Sequence, residues 1–501
     1  MNLEARGIRG GMMSARSAFL EMLARHLPEA AIVTDGDAIA PWLVDWRGRY
    51  RGAAAALVEP RTTGQVAAVV RAAAAHRVPL VPQGGNTGMV GGATPSAGGD
   101  AVILSLRRLN RIRSVDRQAN VAIAEAGVIL QLLNDAALGV GRRFPLTLGA
   151  RGSATIGGLV STNAGGTQVL RFGTMRGLVA GVEAVMADGT VHDGLAALPK
   201  DNRGYNLDQL LIGAEGTLGV VTAAALRLVP AVAARGVAWV GVASPEVALA
   251  LLRHCQAHTD AVESFEILPA GSLEAVLAHL PGGRAPLGGK HPWHVLIEAT
   301  APDDHAERPD ALLERLLTDA IGRGLGDDAT IAASEAQADA FWRIRDSISD
   351  AERARGPATQ HDISVPVPAM PRFMVEAAAA CEARFAGTHA SGFGHLGDGN
   401  VHFHVRAPAG VEAERWYAEA APAVTRFVHD LVTAAGGSIS AEHGIGQMKR
   451  DELDRLLPPA RANAMRAIKA ALDPLGIMNP GKLLPLVPDG PVPLAPGAGG
   501  K

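Results

Sequence analysis

Three glycine-rich loops crowd into residues 82–219, and they constrain the fold more than any other feature of the chain. The first is Pro82-Gln-Gly-Gly-Asn-Thr-Gly-Met-Val-Gly-Gly92. The second runs from Leu148 to Gly158 and on through Ser161-Thr-Asn-Ala-Gly-Gly166, and the third is Gly213-Ala-Glu-Gly-Thr-Leu-Gly219. Glycine lets backbone N–H groups approach an anion closely and converge on it, which is what a dinucleotide pyrophosphate requires. A single loop of this kind is more often a turn than a ligand site; three in one stretch are not explained as turns. The first loop lacks the GK[ST] ending of a P-loop, and no strand–acid pair follows at the Rossmann spacing.

The sequence around the loops alternates. Ala56–Val58 reads as a buried strand, Thr62–His76 as an Ala-rich helix, and Val78–Pro82 as a strand entering the first loop. Further strands are expected at 101–106, 121–126, 182–191 (with the turn Ala187-Asp-Gly-Thr190) and 220–228. Ahead of them, Phe19, Leu20, Leu23 and Leu27 have helical spacing, followed by a loop holding Trp42 and Trp46. Beyond Pro230 short strands (237–242, 264–268, 295–298) and a helix at 245–258 predict an antiparallel sheet, with a surface loop at 281–292. One long helix is expected at 335–355, a strand–turn–strand at 386–405, and helices at 412–435 and 451–472.

A chain of 501 residues exceeds one hydrophobic core. The reading is α+β: an N-terminal helical segment at 1–54, a nucleotide-binding domain at 55–230, an α+β substrate (cap) domain at 231–435, a C-terminal helical segment at 436–487 and a disordered Pro/Gly/Ala tail at 488–501. A net charge of −3 offers no field for nucleic acid. Cys255 and Cys381 form no CxxC pair, no apolar run is long enough to span a membrane, and Met1–Met13 is not a secretory signal. The expected location is cytoplasmic, with peripheral association to the inner membrane left open, and the expected assembly is a homodimer.

The sharpest local pattern is Gly394-His-Leu-Gly-Asp-Gly-Asn-Val-His-Phe-His-Val405. Asp398-Gly399 predicts a two-residue type I′ turn, which would pair His395 with His402 across the hairpin. Opposed residues lie roughly 4.5–5.5 Å apart at Cβ, close enough for two imidazoles to share one metal ion. His402 and His404 face one side, and Val401, Phe403 and Val405 face the core. Ser440-Ala-Glu-His-Gly444 offers a further ligand in Glu442 or His443. A single histidine is more often a structural one, and His254/His258 and His291/His294 are read that way, the latter pair in the surface loop.

These motifs, with Lys200-Asp-Asn-Arg-Gly-Tyr205, Ser440–Gly446 and Asn479-Pro-Gly-Lys482, make the chain resemble the FAD-linked oxidases of the vanillyl-alcohol oxidase type over residues 55–485. Within that family it resembles the D-2-hydroxyglutarate and D-lactate dehydrogenases. The resemblance implies a two-subdomain FAD domain of the p-cresol methylhydroxylase (PCMH) type. FAD would be lined by Gln83, Gly84, Gly85, Asn86, Thr87, Gly88, Gly152, Ser153, Gly157, Asn163, Gly165, Val221 and Asn479. Asn86 stands where some relatives attach FAD through a histidine, so the flavin is expected to be non-covalent. The resemblance also implies a divalent metal, zinc, on His395, His402 and Glu442. Arg345, Ser349, Gln360, His404 and His443 would contact substrate, with His443 as general base. Arg345 and Ser349, at i and i+4, would share a face of the 335–355 helix. Where the family has lysine and asparagine, this chain has Gln360 and His404; the lost cation weighs against a dicarboxylate such as D-2-hydroxyglutarate and leaves room for D-lactate, D-malate or a bulkier acid. The implied reaction is hydride transfer from a D-2-hydroxy acid to flavin N5, with an electron-transfer flavoprotein, quinone or cytochrome as acceptor. The alternative is a metal-independent flavin oxidase of an alcohol or phenol.

Overall fold

The computed structural model describes residues 16–303 and 305–485; the expected tail at 488–501 and the start of the N-terminal segment lie outside them. Helix Thr63–His76 begins where Thr62 accepts the Gln65 N–H, and it connects strand Ala56–Val58 to Leu80–Gln83. A helical crossover of this kind places successive strands parallel in one sheet. The first sheet therefore runs Ile32–Val33, Ala56–Val58, Val102–Ser105, Leu80–Gln83, the last three parallel. Its free edge is taken by the C-terminal segment. The Leu80 N–H donates to the Ile477 carbonyl and Asn479 N–H to the Leu80 carbonyl, returning the chain's end to the first glycine loop.

The second sheet is antiparallel, in the order Ile112–Asp116, Val121–Glu125, Gly219–Arg227, Val179–Met186, Val191–Asp193. Helix Ile156–Thr162 packs on it so closely that a Cβ on Gly157 would lie 2.6 Å from the Ala126 Cβ, which is why this position holds glycine. The third sheet has seven strands, all antiparallel: Asp328–Ile331, Ala234–Val242, Trp293–Ala301, Val262–Pro269, His389–His395, Asn400–Arg406, Ala358–Ser364. Val401, Phe403 and Val405 bury against helices Met370–Arg384 and Ala421–Ala434. On the opposite face Trp239, Leu268 and Phe393 pack with Phe341, Ile344 and Ile348.

Four expectations are corrected. The helix at 335–355 is two, Glu335–Asp346 and Ile348–Ala354, interrupted at Ser347. Asp346 and Ser347 are residue types whose side chains compete for backbone hydrogen bonds, and they favour helix ends. The segment 451–472 likewise splits at Leu457–Pro458 into Arg450–Leu456 and Pro459–Leu472, because proline supplies no N–H to continue the ladder. His294 is not in a surface loop: it sits in strand Trp293–Ala301, buried, with its Nδ1 accepting the Trp239 indole N–H at 3.2 Å. The fourth correction, the hairpin register, belongs to the site. The strand Ala358–Ser364 was not expected at all, because its sequence Ala-Thr-Gln-His-Asp-Ile-Ser shows little apolar alternation.

Candidate active site

The hairpin forms, but not with the expected pairing. His395 lies opposite Asn400, and His402 opposite Phe393, so the turn spans Leu396–Gly399. A type I′ turn needs positive φ at both central residues. Gly399 has φ +81°, whereas Asp398 is not left-handed and instead accepts the Asn400 N–H at 2.9 Å. The Leu396 N–H donates out of the hairpin to the Phe265 carbonyl, and the Gly399 carbonyl accepts the Val365 N–H, which fixes the wider loop. The shift moves His402 by two residues along the strand, and a two-residue shift preserves the face. His395 and His402 become diagonal neighbours, their ring centroids 5.4 Å apart.

Around them the structure gathers carboxylates. His395, His402 and Glu442 can each offer one ligand atom with all three atoms within 4.8 Å of one another, and Asp362, Glu442 and His443 form a second such group. His395 Nδ1 donates to Glu266 at 2.5 Å, which turns Nε2 toward Glu442 Oε1 at 3.8 Å. A carboxylate holding the outer nitrogen is the usual arrangement behind a metal-ligating histidine. Burial works against protonation of His395, but Glu266 outweighs it and lifts the imidazole to about 9. Burial, with His395 and Arg345 adding, holds His402 well below its ordinary value, so it is a neutral donor. Burial, against the pull of His395, pushes Glu442 up to about 7. Two imidazoles and a carboxylate are a donor set suited to zinc, and a cation there would replace the charge that burial penalises. Arg345 occupies part of this space: its Nε bonds Glu266 at 2.8 Å and its Nη2 lies 3.2 Å from His395 Nε2. A metal on Nε2 requires that guanidinium to swing away.

The glycine loops line a cleft next to this cluster. Gln83 to Gly88, Gly157 and Asn479 of the expected cofactor residues border it, with Thr155, Gly158, Ser161, Thr162, Glu215 and Gly216, which belong to the second and third glycine loops without having been singled out within them. Thr155 Oγ1, Gln83 Oε1 and Asn479 Oδ1 are buried there without a hydrogen-bond partner among the described residues. A Cβ on Gly85 would collide with the Ser153 carbonyl, so the first and second loops meet backbone to backbone. Unpaired polar atoms and side-chain-free loops fit a large polar cofactor such as FAD. Gly152 and Ser153 are exposed at the rim. Gly165 lies against Glu442. Asn163 and Val221 stand behind the lining: Asn163 caps helix Ile156–Thr162 at φ +50° and accepts the Arg176 N–H, while Val221 is core.

A second cavity opens on the other side of His443, lined by Ser349, Gln360, Asp362, His402, His404, Arg47 and Arg49 among others. His443 borders both spaces. Its position is set from two sides. The buried Glu215 carboxylate accepts the Ile445 and Gly446 N–H groups, each at 2.7 Å. Asp362 accepts the Glu442 and His443 N–H groups, each at 2.9 Å, and its Oδ2 lies 3.5 Å from His443 Nδ1. Burial lowers His443 against the pull of Asp362, leaving a neutral ring. The break at Ser347 removes the helical basis for pairing Arg345 with Ser349: Ser349 lines this cavity, while Arg345 is engaged by Glu266 and His395. Asp362 carried no sequence signal beyond being an acid, Glu215 was marked only by its place in the third glycine loop, and Gln360 and His404 lie opposite each other on adjacent strands.

Comparison with known families decides the class. The profile for FAD linked oxidases, C-terminal domain, matches residues 232–483, half of the chain, and an FAD binding domain profile matches residues 54–194.

The chain belongs to the FAD-linked oxidase family.

It is 38% identical over 469 residues to a protein of Bos taurus named D-2-hydroxyglutarate dehydrogenase, mitochondrial, covering 93% of this chain and 83% of that one. It is 36% identical to D-2-hydroxyglutarate dehydrogenase of Xanthomonas citri pv. viticola, covering 92% and 96%. A Schizosaccharomyces pombe protein named putative D-lactate dehydrogenase is 31% identical, covering 90% and 85%. Among solved structures, p-cresol methylhydroxylase superposes with a TM-score of 0.72 at 18% identity, covering 95% of this chain and 97% of that one. Alkyldihydroxyacetonephosphate synthase reaches 0.69 at 16%, covering 92% and 85%. These two place the FAD-linked oxidoreductase in the expected α+β fold. No helix among the described residues is long and apolar enough to cross a membrane, and the names of several relatives say mitochondrial where a cytoplasmic location was expected.

Proposed function

We propose that this FAD-linked enzyme oxidises the hydroxyl of a D-2-hydroxy acid to the 2-oxo acid, assisted by a divalent cation, zinc, on His395, His402 and Glu442. The observation that carries the reading is the position of His443, which borders both the glycine-lined cleft and the polar cavity beside the histidine cluster. A substrate in that cavity would meet the base at the boundary with the cofactor cleft. The names of the relatives at 31–38% identity supply the substrate class.

In this reading, Gln83, Gly84, Gly85, Asn86, Thr87, Gly88, Gly157 and Asn479 hold FAD, with Gly152, Ser153 and Gly165 at its margin and Asn163 and Val221 supporting the wall. FAD bound there would supply the two-electron acceptor for the C2 hydride. A cation held by His395, His402 and Glu442 would supply Lewis acidity toward the substrate hydroxyl. Neutral His443 accepts the hydroxyl proton at Nε2, because Nδ1 is turned to Asp362. Asp362 then faces an imidazolium and stabilises it. Arg345, once off His395, and Ser349, Gln360 and His404 bind the rest of the acid. An electron-transfer flavoprotein, quinone or cytochrome takes the electrons away, and the working assembly is a homodimer.

Anaerobic addition of D- and L-2-hydroxy acids to the purified holoenzyme tests the reaction: only D-acids should bleach the flavin, and a flavin that none of them reduces would refute it. A metal-free oxidation of alcohols or phenols is the competing reading, favoured by the guanidinium already resting 3.2 Å from His395 Nε2. Elemental analysis separates the two, since that reading requires no metal.

A further inference from the structure

The geometry points to Arg47, on a loop outside the substrate domain, as the residue that reads the far end of the substrate, forming with Ser349, Gln360 and His404 a subsite for a second carboxylate. The inference rests on the D-2-hydroxy-acid reading and adds to it the residue that would read a second carboxylate. Its starting point is a contact across the molecule: Arg47 Nη1 donates to Gln360 Oε1 at 3.1 Å, although 313 positions separate them.

The loop that carries Arg47 is built to hold it. Val44 and Arg51 form a β-bridge, and Asp45 accepts the Tyr50 N–H at 2.6 Å. The Gly48 N–H returns to the Asp45 carbonyl at 2.9 Å. The base of the loop is tied to the first glycine loop, since Asn86 Nδ2 donates to the Val44 carbonyl at 2.9 Å and Gln83 Nε2 to the Trp42 carbonyl at 3.1 Å. The guanidinium also lies over the Trp46 ring, 5.1 Å from its centroid. Arg47 is therefore fixed by the cofactor-binding region and reaches into a cavity walled by the other domain.

The polar groups it meets are unsatisfied. Arg47 Nε, Gln360 Nε2 and His404 Nδ1 are all buried without a hydrogen-bond partner among the described residues, and all three residues line one cavity. Two of these atoms are N–H donors and the third becomes one in the Nδ1–H tautomer, so what they lack is an acceptor. A buried donor left unpaired costs about 1–3 kcal/mol, and a carboxylate answers several at once. Positive charge prevails here. Arg49 and Lys449 line the same cavity with Arg47, against the carboxylates of Asp362 and Glu452, and burial, then Arg49 and Arg353, lower Arg47 to about 10, at which it stays protonated. Of the neighbouring acids, Asp350 is held by Arg353, and Asp45 accepts the Tyr50 N–H at Oδ1 while its Oδ2 is buried without a hydrogen-bond partner among the described residues.

Distance along the sheet fits. Asp362 pairs with His402 and Gln360 with His404, one two-residue step farther along the same face. That step is about 7 Å. An acid held by its hydroxyl end near His402 and His443 would send a short chain of methylenes toward Arg47.

The test uses the holoenzyme with Arg47→Met and Arg47→Lys. Steady-state kinetics compare the five-carbon D-2-hydroxy dicarboxylate with the monocarboxylate D-2-hydroxyvalerate, which lacks the second carboxylate, and calorimetry follows binding of the 2-oxo dicarboxylate. The ratio of kcat/KM for dicarboxylate over monocarboxylate should fall by about 10–100-fold in Arg47→Met, mainly through KM, and recover in part in Arg47→Lys. Affinity for the 2-oxo dicarboxylate should fall in parallel. A ratio and an affinity that both stay within about twofold in a folded, flavin-loaded Arg47→Met overturn the subsite. If no D-2-hydroxy acid reduces the wild-type flavin but the dicarboxylate still binds through Arg47, the subsite stands and the reaction assigned above does not.

Discussion

The glycine-lined cleft and the histidine cluster are neighbours made on opposite principles. In the cleft the chain withholds side chains: Gly84 and Gly85 press against Thr155 and Ser153, so that backbone donors crowd together. In the cluster His395, His402 and Glu266 sit on strands and Glu442 and His443 on a bend, and the chemistry is carried by side chains aimed from these three separate segments. The first kind of site tolerates little added volume and little depends on any one functional group. The second tolerates small changes of shape and fails when one donor is removed.

The largest expected effect follows from that contrast. His395→Ala should lower kcat/KM by about 10³-fold or more while the protein stays yellow, because the flavin cleft does not use that imidazole. Loss of the flavin in this variant, or survival of activity, would erase the distinction between the two sites. Gly85→Ala should do the reverse. A Cβ against the Ser153 carbonyl forces the two loops apart at about 1–3 kcal/mol, seen as a lower Tm and a pale protein, with the His395–Glu266 pair left intact. The smallest effect lies outside both sites. Burial holds His294 down to about 4 and His361 down to about 3. Both folded values lie below the unfolded value near 6.5, so the stability they contribute is present above about pH 6.5 and is lost as pH falls through the folded values. Denaturant midpoints should drop between pH 6.5 and about 4, and His294→Asn should flatten part of that slope.

Much of this was legible in the chain itself. The alternation around Ala56–Val58 and Thr62–His76 and the three glycine loops are local patterns, and local patterns survive translation into structure. The hairpin was legible in outline. Its register was not, because Asp398 answers to the Asn400 N–H and the loop's outward hydrogen bonds rather than to the turn statistics of Asp-Gly. The helix at 335–355 misled in the same way: its apolar face is continuous in sequence, yet the backbone turns at Ser347.

What the sequence determined by itself was which residue types exist and which of them recur at strand or helix spacing, since those depend on neighbours a few positions away. Only the folded molecule decided that Asp362 would hold His443, that Glu215 would anchor the loop beyond it, and that Arg47 would reach Gln360. These pairings join residues 81, 230 and 313 positions apart. No local preference can specify them; they arise when three sheets pack and bury charges that must then find partners.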